Sequence, residues 1–317
     1  MKNKKVIMTF SSLMIIIFHL WINLSLKNTK INEIETFIRY ISFIGVDIFF
    51  FLSAYSLERS KIDNYLEFIK SRFKKIYLKF IIFSILAFFL NNWNFLKLLK
   101  TITGLDLFLK GGGSFLWFIP AIMIIYLLIP LYKKYDNFKT LIITIISYLL
   151  LVVLLSIFNK THLLIFINRI PIILIGYYFS KLKVLEKLRS NNYLYFSSSL
   201  ILLIFGLFLS YYIYKNHINI KYFGDFFYLT SIPLVIGVIL LLDKINTNKI
   251  FNYLGSITLE AYMVQMLFGY SLTSKLLNII NSNLLINILS ITLVLLISAF
   301  FNFIFQKVDR LLLKNHI

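Results

Sequence analysis

Residues 140–158 read TLIITIISYLLLVVLLSIF, nineteen consecutive positions without a charged side chain. Wound as a helix at about 1.5 Å per residue, the run covers roughly 28 Å, close to the roughly 30 Å of hydrocarbon in a bilayer. Lys133, Lys134, Asp136 and Lys139 stop it on one side and Lys160 on the other. Working outward from it, further apolar runs fall near 6–26, 39–57, 76–92, 114–132, 163–180, 194–214, 223–242, 253–273 and 284–305. The pattern predicts an all-α polytopic membrane protein of about ten transmembrane helices in one bundle. A single integral-membrane domain over 1–317 is expected, with no soluble appendage. The runs are long and continuous and lack the ten-residue alternation of an outer-membrane barrel. The first begins after Lys2, Lys4 and Lys5 but is long and has no small-residue cleavage site, so it reads as an uncleaved span.

Composition points the same way. Hydrophobic residues make up 59% of the 317 and charged residues 15%, with a mean hydropathy of +0.83. Soluble domains are roughly half apolar and a quarter charged, so a soluble globular enzyme is excluded. The formal charge of +20 would suggest nucleic acid as a partner of a soluble protein. Here the basic residues sit between apolar runs, so no nucleic-acid partner is expected and the charges act as topology determinants beside anionic headgroups. The absence of cysteine rules out disulfides, a thiolate nucleophile and a Cys-bound zinc site. No metal is expected.

Orientation follows from the alternate loops. The side holding the N-terminus carries 22 Lys and Arg and the other side 10, with Arg169 inside a span. The positive-inside rule then places both termini in the cytoplasm of a cell whose plasma membrane holds the chain.

Ionisable groups at mid-membrane cost about 2.5–3.5 kcal/mol each and tend to mark function. His19, Asp47, Arg169 and Glu260 pass that filter. Counted from the outer ends of their runs, His19, Asp47 and Arg169 share a depth of roughly 9–12 Å. Met8, Ser12, Ile15, His19 and Asn23 form one stripe of the first helix, expected to face the bundle. A neutral imidazole takes a proton from a hydroxyl near neutral pH, and a carboxylate fixes its tautomer, so His19 and Asp47 are a candidate base and partner. The competing reading is a histidine bonded to a carbonyl and a structural Asp47–Arg169 ion pair. Function is favoured, because charges in lipid are rarely kept for stability alone.

The remaining motifs are weaker. His162, His217 and His316 lack metal-ligand spacing and read as surface residues. Gly111-Gly112-Gly113-Ser114 has no following lysine of a phosphate loop and reads as a flexible entry to the next helix, with Trp117 in its first turn at the aromatic belt. Pro130 reads as helix-end punctuation. The loop 58–79, with Arg59, Lys61, Lys70, Arg72, Lys74, Lys75 and Lys79, suits an anionic ligand or an orienting contact with anionic lipid, and both readings stay open.

Taken together these segments resemble the acyltransferase-3 family of ten-helix membrane acyltransferases. The segment 45–53, GVDIFFFLS, is similar to its second-helix signature; His19-Leu20-Trp21 resembles the first-helix histidine motif and 68–77, FIKSRFKKIY, the basic segment before the third helix. LWFI at 116–119, Arg169-Ile170-Pro171 with Gly176, and LGSITLEAYM at 254–263 resemble later family patterns. Met8, Ala54, Leu78 and Gln265 stand where the family usually has a basic residue, Gly, Pro and His.

The resemblance implies transfer of an acyl group, commonly acetyl from cytoplasmic acetyl-CoA, to a hydroxyl of an extracytoplasmic or lipid-linked glycan. It implies that His19 is the catalytic base or acyl relay and Asp47 its partner. Arg72 and Lys75, with Lys70 beside them, would hold the CoA phosphates. Trp117 and Arg169, with Ser114 and Glu260, would shape the acyl or acceptor site. Two other classes are kept in view: a transporter or flippase for a lipid-linked glycan, with Asp47 and Arg169 lining its path, and a catalytically silent scaffold.

Overall fold

A backbone surrounded by hydrocarbon must satisfy its polar groups internally, so long apolar runs become helices. The computed structural model describes residues 1, 3–24, 29–216 and 227–314, and no strand occurs among them. His217 and His316 lie outside the described residues. In chain order the helices are α1 (Lys4–Leu20), α2 (Thr29–Ile41), α3 (Ile44–Arg59), α4 (Tyr65–Leu90), α5 (Phe95–Ile102), α6 (Leu105–Lys110), α7 (Phe118–Lys134), α8 (Phe138–Ile157) and α9 (Leu164–Ile167). They continue with α10 (Ile170–Lys181), α11 (Val184–Arg189), α12 (Asn192–Asn216), α13 (Phe227–Thr230), α14 (Ile232–Asp243), α15 (Lys249–Leu254), α16 (Thr258–Val264), α17 (Tyr270–Leu277) and α18 (Asn283–Lys314). A π-helical turn, Gln265–Gly269, joins α16 to α17.

Among the described residues, five helices are long and apolar enough to cross a membrane: Lys30–Arg59, Phe138–Ile157, Thr161–Lys181, Asn192–Asn216 and Asn283–Arg310. The apolar α1 and α7 are shorter, at 17 residues each. On α8 and α12 large side chains such as Ile146, Leu150, Ile204 and Phe208 point outward, the inverse of a soluble protein. The chain is an integral membrane protein.

The chain divides into two compact units, Met1 with Val46–Lys244, and Lys2–Gly45 with Ile245–Ile317. In the first, α12 and α14 pack closely because each offers a glycine to the other. A Cβ on Gly237 would lie 2.6 Å from the Leu203 nitrogen, and Gly206 meets the Leu234 backbone in the same way. Small residues at such crossings let van der Waals contact replace the hydrophobic driving force that lipid removes. In the second unit α1 packs against α2, α15, α16, α17 and α18. Thr9 Oγ1 donates to the Phe251 carbonyl at 3.0 Å, and Gly255 admits the Lys5 carbonyl, 2.5 Å from where a Cβ would stand.

Several boundaries differ from those expected. The run 6–26 is helical only to Leu20, because the Asn287 side-chain amide takes over the backbone of Ile22, accepting from its N–H at 2.8 Å and donating to its carbonyl at 2.7 Å. The loop expected over 27–39 contains α2. Most of the basic loop 58–79 is helix: Asn64 caps α4 by accepting from the N–H groups of Leu66 and Glu67, so Lys70 to Lys79 ride on its first turns. Pro130 lies inside α7 rather than at its end. The runs 163–180 and 253–273 are each broken into successive helices.

Candidate functional site

Asp47 lies in the first turn of α3, following a turn at Ser42–Phe43 that ends α2. Arg169 is the N-cap of α10, directly after α9, and Pro171 follows in the first turn of α10, where its missing N–H costs nothing. Both residues therefore stand at helix breaks rather than in mid-helix. Irregular backbone at membrane depth is tolerated where protein buries it or a cavity is lined.

The two breaks meet. The Arg169 Nε lies 2.8 Å from Asp47 Oδ1, with Asp47 1% and Arg169 2% exposed. The positive end of α3 favours a carboxylate in its first turn. The cation, at the unfavourable end of α10, is compensated three ways. It pairs with Asp47, its Nη1 donates to the Ile165 carbonyl, and its Cζ stands 5.2 Å from the centre of the Trp117 ring. The second Asp47 oxygen, Oδ2, is buried and has no hydrogen-bond partner among the described residues. A buried acceptor left open in this way costs free energy unless a donor arrives.

Trp117 is held by an unusual backbone. Leu116 before it has φ 54, a left-handed conformation uncommon for a bulky residue and typical of positions held by their surroundings for function. The turn turns the indole inward, 8% exposed, which corrects the expectation of an aromatic-belt residue. Ser114 is buried and donates to the Gly111 carbonyl at 2.8 Å. Gly111–Gly113 form a 3-10 turn, and at Gly111, with φ 54, a side chain would strike the His162 backbone. The glycines serve close approach of two segments rather than a flexible helix entry.

His19 belongs to the other unit. The early end of α1 puts it in the last turn, rather than seven residues inside the helix. Ser12 and Ile15 of its stripe are buried, while His19 is exposed and meets Phe18 edge-on at 5.0 Å. In the same unit Glu260 is buried in the first turn of α16. Gln265 opens the π-helical turn, 3% exposed, and neither polar atom of its side chain has a hydrogen-bond partner among the described residues. Such turns recur at functional sites.

Of the basic residues expected to hold an anion, Lys70 and Lys75 are exposed and Arg72 is half-buried. The Arg72 guanidinium lies between the rings of Phe68 and Tyr126, at 5.1 and 5.7 Å. Its Nε is buried without a hydrogen-bond partner among the described residues. A cation fixed by two rings with a donor to spare is suited to a phosphate.

Sequence reasoning missed a polar belt at the other ends of these helices. Asp136, between α7 and α8, accepts from Lys181 at 2.6 Å, Tyr177 at 2.6 Å and Tyr178 at 2.9 Å. Burial pushes its carboxyl up, but these bonds outweigh burial and hold it below its ordinary value. Arg59 bridges Ser180 at 3.0 Å and Glu186 at 2.6 Å, and Arg189 pairs with the buried Asp243. Only the position of these acids at the ends of apolar runs hints at the belt.

Comparison with protein families places a model described as an acyltransferase domain over residues 9–305. No curated protein and no solved structure matches the chain.

Proposed function

We propose, from the premise that this chain belongs to the acyltransferase-3 family, a specific reaction for a membrane acyltransferase. It moves an acyl group, acetyl in the simplest case, from cytoplasmic acyl-CoA to a hydroxyl of an extracytoplasmic or lipid-linked glycan. The observation that carries this reading is the buried Asp47–Arg169–Trp117 group with one carboxylate oxygen left open. Charges are retained in a membrane interior at a cost that function has to justify.

In this reading both termini lie in the cytoplasm and the chain sits in the plasma membrane. The N-terminal ends of α3 and α10 then face the acceptor side and the basic turns of α4 the donor side. Arg72, with Lys75 and Lys70, binds the CoA phosphates; Trp117 and Arg169, with Ser114 and Glu260, shape the acyl or acceptor site. His19 takes the proton of the acceptor hydroxyl, with Asp47 as its acidic partner. The hydroxyl oxygen attacks the thioester carbonyl, the C–S bond breaks, and the CoA thiolate leaves and recovers the proton. General base catalysis of this kind contributes about 10²–10⁴-fold.

The test compares His19→Ala with the parent chain by mass spectrometry of surface glycans. Glycans short of one acyl unit at unchanged protein abundance are expected; intact acyl content in the variant refutes the reading. Glycan movement without acyl-CoA consumption would replace it with transport.

A further inference from the structure

The stretch between α4 and α7 forms a ledge at one end of the first unit. Helices α5 and α6 leave Phe95, Leu96, Leu99, Leu105, Phe108 and Leu109 exposed, an apolar face of the kind that lies in the membrane interface. Its polar side carries two lysines around one buried acid. Asp106, 3% exposed, accepts from Thr101 Oγ1 at 3.0 Å and faces Lys110 Nζ at 3.6 Å. Lys97 Nζ stands 4.0 Å from the centre of the Trp93 ring. Burial and then repulsion by Lys110 both lower the Lys97 pKa, with Asp106 acting against them. Among the described residues Asp106 pairs with Lys110 alone, so the two lysines outnumber the acid beside them.

Beside Lys110 opens a pocket of about 280 Å³ lined also by Gly112, Gly113, Thr161, His162 and Ile165. Its shape is set by the approach of two turns: a Cβ on Gly112 would meet the Ile165 side chain. The His162 Nε2 lies 3.0 Å from the Phe108 carbonyl. Opposite a carbonyl that nitrogen donates, which leaves Nδ1 as an acceptor. Behind the pocket, the Ile165 carbonyl receives the Arg169 guanidinium that pairs with Asp47, so one residue joins the pocket wall to the buried pair.

We infer that this pocket and the Lys97–Lys110 cluster bind an acidic saccharide, the lysines taking its carboxylate or phosphate and Thr161 with His162 its hydroxyls. A phosphate headgroup needs donors only, whereas a sugar ring needs acceptors as well, and the pocket residues supply both. In the orientation proposed above the ledge lies outside, where lysines do nothing for topology. The inference rests on that reading for the role of the ligand as acceptor and gives the acceptor its chemical class.

The test measures binding calorimetrically, with the full chain in nanodiscs of zwitterionic lipid and no acyl-CoA. The probes are trigalacturonate, galactose 1-phosphate and neutral galactotriose. One or both acidic probes should bind about tenfold tighter than the neutral sugar, as one or two charge-assisted contacts imply, and which does so tells carboxylate from phosphate. The double variant K97Q/K110Q should erase the preference. Gly113→Glu should do the same without disturbing the fold, because the nearest atom to a Cβ there is Lys110 Cβ at 4.0 Å. Equal binding of acidic and neutral sugars, or a preference that survives both changes, overturns the inference. So does a chain that binds none of the three sugars yet retains phosphatidylglycerol when that lipid is added to the nanodiscs, which would mark a lipid-docking ledge. Because no donor is present, an inactive chain that still prefers acidic sugars would sink the acyl-transfer reading alone. An active chain without the preference would sink only the acidic-saccharide site.

Discussion

Arg169→Met removes the cation of a pair whose members are 1% and 2% exposed. Breaking one partner of such a pair costs about 3–5 kcal/mol, because the other charge stays buried without compensation. The change also forfeits the stacking on Trp117, worth roughly 0.5–2 kcal/mol, and the bond to the Ile165 carbonyl, roughly 1.5 kcal/mol or more, both contained in that total. Asp47→Leu alone should cost a similar amount. Together the two changes leave no orphaned charge, so the double variant should lose only about 1–3 kcal/mol, far short of the roughly 6–10 kcal/mol that additive changes would give. Reversible unfolding in mixed micelles against rising denaturing detergent measures all three. Losses adding to within about 0.5 kcal/mol would refute the pair as a coupled buried unit. Acyl transfer should be absent from the double variant although it folds, which separates stability from chemistry.

Three further outcomes follow from the same geometry. Gly237→Ala drives a Cβ to 2.6 Å from the Leu203 nitrogen and should cost about 1–3 kcal/mol by overpacking α12 against α14, read by the same unfolding assay. Asp136 titrates below its ordinary value in the folded chain. Its stabilising effect is therefore complete above the unfolded pKa of about 3.9 and is lost as pH falls through the folded value. Asp136→Asn should flatten the drop in melting temperature below about pH 4, and an unchanged drop would remove that role. Arg72→Ala should raise KM for acyl-CoA by about tenfold or more, the worth of one charge-assisted bond, with a smaller change in kcat; an unchanged KM would place the CoA phosphates elsewhere.

The sequence displayed some of this site openly. Asp47 and Arg169 were conspicuous as charges inside apolar runs, and the structure brings them to 2.8 Å. Their pairing is one of two readings the sequence allows. Trp117 was visible as a residue but not in its role, because the left-handed Leu116 that turns it inward leaves no mark in hydropathy. The Asp136, Arg59 and Asp243 belt escaped because acids at the ends of spans look like any solvated loop. The end of α1 escaped too: what stops it at Leu20 is Asn287, 265 positions away from Ile22.

Hydropathy and charge by themselves determined that this chain is helical and integral to a membrane, since each follows from transfer of side chains and backbone between water and lipid, summed locally along the sequence. Local motifs marked the family. Tertiary structure alone decided where the helices break, which charged groups meet there and which glycines admit a neighbouring backbone. Those outcomes depend on partners far apart in sequence, and a hydrogen bond or an ion pair exists only once folding has set both ends within about 3 Å of each other.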